Sequence, residues 1–101
     1  MSTAERRSVQ IEKTRALVYE RDAGICQNCG SSVMWPGQLA HILSQSEMNI
    51  ARYGAQVIHH SENMALVCCL ECNDAMLIDG DKIASRAQAR HILDEIAREG
   101  Q

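Results

Sequence analysis

The apolar positions of this chain follow a loose helical spacing at its two ends and short blocks between them. Near the start, Val9, Glu12, Lys13, Ala16 and Leu17 repeat at helical spacing, which predicts a helix from Ser8 to about Arg21. Ser8 is its expected N-cap, Gly24 its stop, and residues 1–7 read as a frayed polar start. Ile25–Gly30 reads as a tight knuckle and Ser31–Gly37 as a loop. Gln38–Leu43 and Asn63–Cys68 have the content of short strands. Between them, Glu47–Tyr53 is expected as a short helix ended by Gly54, and Gln56–His59 as extended chain. A helix is expected to start at Asn73 and run to Ile78. After Gly80 a final helix, residues 84–99, is expected to gather Ala89, Ile92, Leu93 and Ile96 on one face. The interval from Ser44 to Glu62 is too long for a hairpin loop, and loops of that length are commonly functional.

Composition sharpens this α+β outline. A chain of 101 residues suits one domain, residues 1–101. Phe is absent, and Tyr19, Trp35 and Tyr53 are the only aromatic residues, so the core lacks large rings. A domain of this size and content calls for an additional staple. No run is apolar enough to span a membrane, and the opening MSTAERRSVQ lacks the apolar stretch of a secretory signal. A reducing cytoplasm is the expected location, where cysteines at metal spacing favour a metal over disulfides.

The net charge of −3 is unevenly spread. Residues 1–21 hold Arg6, Arg7, Lys13, Arg15 and Arg21 against Glu5, Glu12 and Glu20, whereas residues 22–80 hold only Arg52 against six carboxylates. This balance excludes a sequence-blind DNA coat, which needs a broad basic footprint, but leaves room for an enzyme touching a few phosphates.

The staple is written as Cys26-x-x-Cys29 and Cys69-x-x-Cys72. Two thiolate pairs, each on a tight turn, complete a closed tetrahedral shell for one structural zinc ion. A closed shell has no open position for water, so this ion does no chemistry. A redox dithiol or plain buried cysteines are the competing readings, and two pairs bounding an aromatic-poor domain favour zinc. The spacing prefers Cys69 over its neighbour Cys68, which is expected to pack inward.

Three further residues carry candidate chemistry. His41 lies in the first strand segment, Asn63 opens the second, and Asn73 follows Cys72 directly. Singly they read as a core histidine, a turn residue and a helix cap. A zinc drawing Cys29 to Cys69 makes the two strands neighbours and sets His41 and Asn73 toward one site. A neutral imidazole can take a proton from water, and an amide oxygen suits a hard cation, so the set has the parts for metal-assisted phosphodiester hydrolysis.

The runs Arg21-Asp22-Ala-Gly-Ile-Cys26-Gln-Asn-Cys29-Gly30, Ala40-His41-Ile42, His60-Ser-Glu-Asn63 and Val67-Cys68-Cys69-Leu-Glu-Cys72-Asn73 together resemble the HNH endonuclease family. The likeness is to the bacterial and phage branch with two C-x-x-C pairs, over about residues 15–78. It implies a ββα-metal (His-Me finger) fold with a two-stranded antiparallel sheet and flanking helices, and nicking or cleavage of DNA. By the resemblance, His41 is the general base, Asn63 holds the loop and orients it, and Asn73 binds a catalytic magnesium or manganese ion.

Many members place Asp or His just before the base as a further metal ligand, and here that position is Ala40. His59, His60 and Gln38 are the replacements at hand. His60 is the possible additional ligand, and His59 reads better as a polar loop end. Arg15, Arg21 and Arg52 are the candidate phosphate contacts, although pairing of Arg15 and Arg21 with Glu12 and Glu20 is the simpler account of the first helix. The alternative to a nuclease is a zinc-stapled DNA-binding or interaction module with a degenerate site. In the latter case the last helix can dock a partner or a second copy, giving a homodimer through the terminal helices.

Overall fold

The structure is a computed structural model that describes residues 2–100, with Arg7 and Ser8 described in backbone only. Helix α1 (Thr3–Arg21) opens the chain. Its cap is Ser2, whose side chain accepts from the Glu5 amide at 3.2 Å. The expected start at Ser8 is therefore five residues late, because a capping serine and a first-turn glutamate were already available upstream. Val18 is the fully buried anchor of this helix, while Val9, Ile11 and Leu17 stay exposed.

After α1 the chain turns through Ala23 and Gly24, both at positive φ, into the first knuckle. A single antiparallel bridge, Ile25 to Ser32, closes that knuckle, and the Gln27 amide donates to Leu66 O at 2.9 Å. Strands β1 (Gln38–His41) and β2 (Met64–Val67) form a two-stranded antiparallel sheet that pairs Gln38 with Val67 and His41 with Met64. Each strand is shorter than its apolar block. Ile42 leaves the ladder to donate to Asn63 O at 2.9 Å and to accept from the Ile78 amide at 3.0 Å.

Between the strands lie α2 (Glu47–Tyr53) and α3 (Ala55–Ile58). Helix α2 has the expected span and stop at Gly54, and its cap is Ser46. The segment Gln56–His59, expected as extended, contains a helical turn instead. Val57 and Ile58 are both buried in one cluster, and neighbours in a strand would point to opposite faces.

Helix α4 (Leu70–Ala75) starts three residues before the expected position, so Asn73 lies inside it and not at its cap. Helix α5 (Lys82–Glu99) starts from an Asp81 cap and buries Ser85, Ala89 and Ile92, with Ile96 packed behind them. Leu93, expected on that face, is 52% exposed, because the 85–89–92–96 line turns it to the flank.

Two apolar clusters result. One joins Val18, Cys26, Val33, Ala40, Met64, Leu66, Val67 and Cys72 around the sheet. The other joins Leu43, Val57, Ile58, Ala89 and Ile92. The domain is α+β, and among the described residues no helix is long and apolar enough to cross a membrane.

Candidate metal centre and cavity

Four sulfurs, those of Cys26, Cys29, Cys68 and Cys72, lie within 4.8 Å of one another. Among the described residues this is the one group of three or more His, Cys, Asp or Glu side chains close enough to hold a metal ion. Such a set suits a tetrahedral ion such as zinc. The first pair comes from the knuckle, where the Gly30 amide donates to Cys26 O at 2.9 Å and the chain turns at Gly30 with φ +81. The second pair comes from the end of β2 and the first turn of α4.

The group within 4.8 Å holds Cys68 where the spacing expects Cys69. Residues 68 and 69 are neighbours where β2 runs into α4, and the backbone of Cys69, the α4 cap, is extended. The Cys69 sulfur also lies against those of Cys68 and Cys72, but outside the 4.8 Å group. The C-x-x-C rule presumes a knuckle turn, and the second pair is a strand end and a helix start. Cys69 remains at the edge, its sulfur 3.7 Å from that of Cys68.

The electrostatics of the cluster call for a cation. Burial pushes the Cys26 thiol up, but the backbone amides of Cys29, Asn28 and Cys68 outweigh it and draw it down to about 6. The Ser31 hydroxyl and amide lower Cys29. Against these, the crowding sulfurs of Cys29, Cys69 and Cys72 drive Cys68 strongly upward. Cys72 rises to about 11: the Asn28 side chain lowers it, and burial with Cys69 and Cys26 outweighs that donor. So many thiols cannot all ionise side by side unless a divalent ion compensates the charge.

A cavity of about 920 Å³ lies beside β1, with Met64 of the first apolar cluster and Leu39 in its lining. Its walls include His41 from β1, Asn73 from α4, Arg15 from α1, Gln45 from the loop after β1, and His59 at the end of α3. His41 and Asn73 thus line the same cavity. The His41 ring is half-buried, with Nδ1 3.4 Å from Gln45 Nε2 on the exposed side. Its Nε2 is buried and has no hydrogen-bond partner. A buried ring nitrogen without a protein partner is open to a water or a ligand. Burial, and then the nearby His59, holds the His41 pKa below the ordinary histidine value. The imidazole is therefore neutral and free to accept a proton near pH 7.

Asn63 stands behind this site and not in it. It is fully buried, with Oδ1 accepting from the Leu43 amide at 2.9 Å. Its Nδ2 donates to Leu43 O at 3.0 Å and Ile58 O at 2.8 Å. Asn63 is a positioning residue that ties the end of α3 to the chain leaving β1.

His60, named as a possible metal ligand, is engaged elsewhere. Its Nδ1 accepts from the Glu62 amide at 3.0 Å and its Nε2 lies 2.9 Å from a Glu99 carboxylate oxygen. His59, which the sequence reading set aside, is the histidine that reaches the cavity. Its ring meets that of His41 edge-on, with centroids 6.0 Å apart. Periodicity gave no sign of this, because it depends on the unexpected turn at α3.

The candidate phosphate contacts separate as well. Arg15 lines the cavity and its Nη1 donates to Gly37 O at 3.4 Å. Arg21 is committed internally, to Asp22 and to the carbonyls of Ser61 and Met64. Arg52 sits exposed in the last turn of α2, outside the cavity wall.

No family model matches the chain, and neither the curated proteins nor the solved structures contain a match.

Proposed function

We propose that the chain is a metal-dependent DNA endonuclease of the HNH type, built on a ββα-metal unit made of β1, β2 and α4. The observation that carries this reading is that His41 and Asn73, from different elements, line one cavity while Asn63 fixes the loop behind them. In this reading His41 takes the proton of the water that attacks the scissile phosphorus, its lowered pKa keeping the ring in the unprotonated form the role requires. Asn73 offers an amide oxygen to a magnesium or manganese ion, which when bound supplies Lewis-acid stabilisation of charge on the phosphate. Arg15 stands where it can meet a phosphate of the same strand. The cysteine quartet, holding zinc, fixes α4 and hence Asn73 against the first knuckle.

A second reading has its own support. Position 40 carries no donor side chain, because Ala40 is fully buried in the first cluster. A zinc-stapled DNA-binding or interaction module with a degenerate site fits that fact. Incubating the protein with supercoiled plasmid and manganese or magnesium, beside His41→Ala, separates the two. Nicking that disappears in His41→Ala supports the nuclease. An intact plasmid with both metals rejects it, and retained DNA binding then favours the module.

A further inference from the structure

We infer that His59 is a ligand of the catalytic cation, supplying the donor that Ala40 lacks, an inference that rests on the nuclease reading above. Ala40 is fully buried and packs with Val18 and Leu66, so position 40 offers the cavity no donor atom. Any donor beyond Asn73 must come from another wall. The polar neutral side chains there are Gln10, Thr14, Gln38 and Gln45, and the one imidazole besides His41 is His59.

His59 is exposed, sits at the end of α3, and faces His41 across a ring-centroid distance of 6.0 Å. That separation leaves His41 free as the base while placing a second imidazole beside it. Asn63 secures the arrangement, since its bond to Ile58 O fixes the residue immediately before His59. His60 is excluded by its contacts to Glu62 and Glu99.

The donor set also selects the ion. An imidazole nitrogen with an amide oxygen favours a first-row transition ion over magnesium, which prefers an all-oxygen shell. The site should therefore take manganese more tightly than magnesium.

The test is calorimetric titration of the zinc-loaded protein with manganese and with magnesium, for wild type, His59→Ala, His59→Gln and His41→Ala. Circular dichroism and zinc content establish that each variant is folded. Wild type is expected to bind manganese at least tenfold more tightly than magnesium. Both His59 variants are expected to lose at least tenfold in manganese affinity, and His41→Ala less than twofold. Manganese should also broaden the His59 ring signals in NMR spectra while sparing those of His91. Wild-type manganese affinity in folded His59→Ala and His59→Gln overturns the inference, as does a wild type that binds no manganese. Plasmid nicking is read separately. His59-dependent manganese binding without any nicking upholds the ligand and rejects the nuclease reading.

Discussion

Asn63 and Leu43 hold each other by a two-way hydrogen bond, amide to Oδ1 at 2.9 Å and Nδ2 to carbonyl at 3.0 Å. Leu43 is the second residue after β1 and Asn63 the last before β2. The pair therefore closes the long segment between the strands at its base, as a ladder rung would, but through a side chain. Both residues are fully buried, so water cannot replace either bond. Asn63→Ala leaves the Leu43 amide, the Leu43 carbonyl and the Ile58 carbonyl without their partner. The expected loss is roughly 3–5 kcal/mol, at the upper end for a single substitution. Urea denaturation measures it, and a loss under about 1 kcal/mol contradicts the bracing role.

The zinc assignment is testable through the adjacent cysteines. Cys68→Ser and Cys72→Ser are expected to abolish stoichiometric zinc, and Cys69→Ser to keep one ion per chain. Structural zinc contributes about 10–16 kcal/mol in small domains, so loss of the ion should unfold this one. Elemental analysis of the purified variants decides the matter. Zinc lost from Cys69→Ser and kept in Cys68→Ser would restore the spacing rule.

Much of the outline was legible in the residues because it depends on local signals. The two apolar blocks became β1 and β2, and Gly54 ends α2. The missed features depend on where side chains point. Cys68 and Cys69 are indistinguishable by residue type, and only the extended backbone at the start of α4 separates them. His59 and His60 are likewise adjacent, and the turn of α3 sends one to His41 and the other to Glu99. Arg21 looked like a surface charge because the carbonyls it serves, those of Ser61 and Met64, are remote in sequence.

That internal role of Arg21 gives a contrast with Arg15. Arg21→Ala should destabilise the fold by roughly 1–3 kcal/mol, since it removes charge-assisted bonds to Asp22 and two carbonyls. It should leave the salt dependence of DNA binding by the folded protein unchanged. Arg15→Ala should weaken binding across all sequences and reduce the log–log salt slope by about 1. Binding isotherms at several salt concentrations, with urea melts beside them, read both effects. A lower slope in Arg21→Ala would return that arginine to the DNA surface.

Gly37 occupies a position that only glycine fits. Its φ is +66, and a Cβ there would lie 2.5 Å from Val33 Cγ1 and 2.8 Å from Leu66 Cδ1. The left-handed backbone costs a side-chain-bearing residue about 1–2 kcal/mol, and overpacking adds about 1–3. Gly37→Ala is expected to lose roughly 2–5 kcal/mol in urea melts. The residue immediately precedes β1 and lines the cavity, so the same change should displace that strand. A variant as stable as wild type would show that Val33 and Leu66 can yield.

Asp79 carries the pH dependence of the loop after β1. Burial pushes its carboxyl up, but the Ser44 hydroxyl, the Ser44 amide at 3.0 Å and the Asn49 side-chain amide at 3.2 Å outweigh it and hold it below the ordinary carboxylate value. A carboxyl that is more acidic in the folded state adds stability above its unfolded pKa, about 3.9. That contribution fades as pH falls through the lower folded value. Asp79→Asn should therefore be less stable than wild type at pH 7, and the gap should close as the pH is taken below about 4. Urea midpoints of both proteins from pH 7 to pH 3 provide the comparison. A gap that persists unchanged at the acid end would mean that Asp79 acts through shape and not through charge.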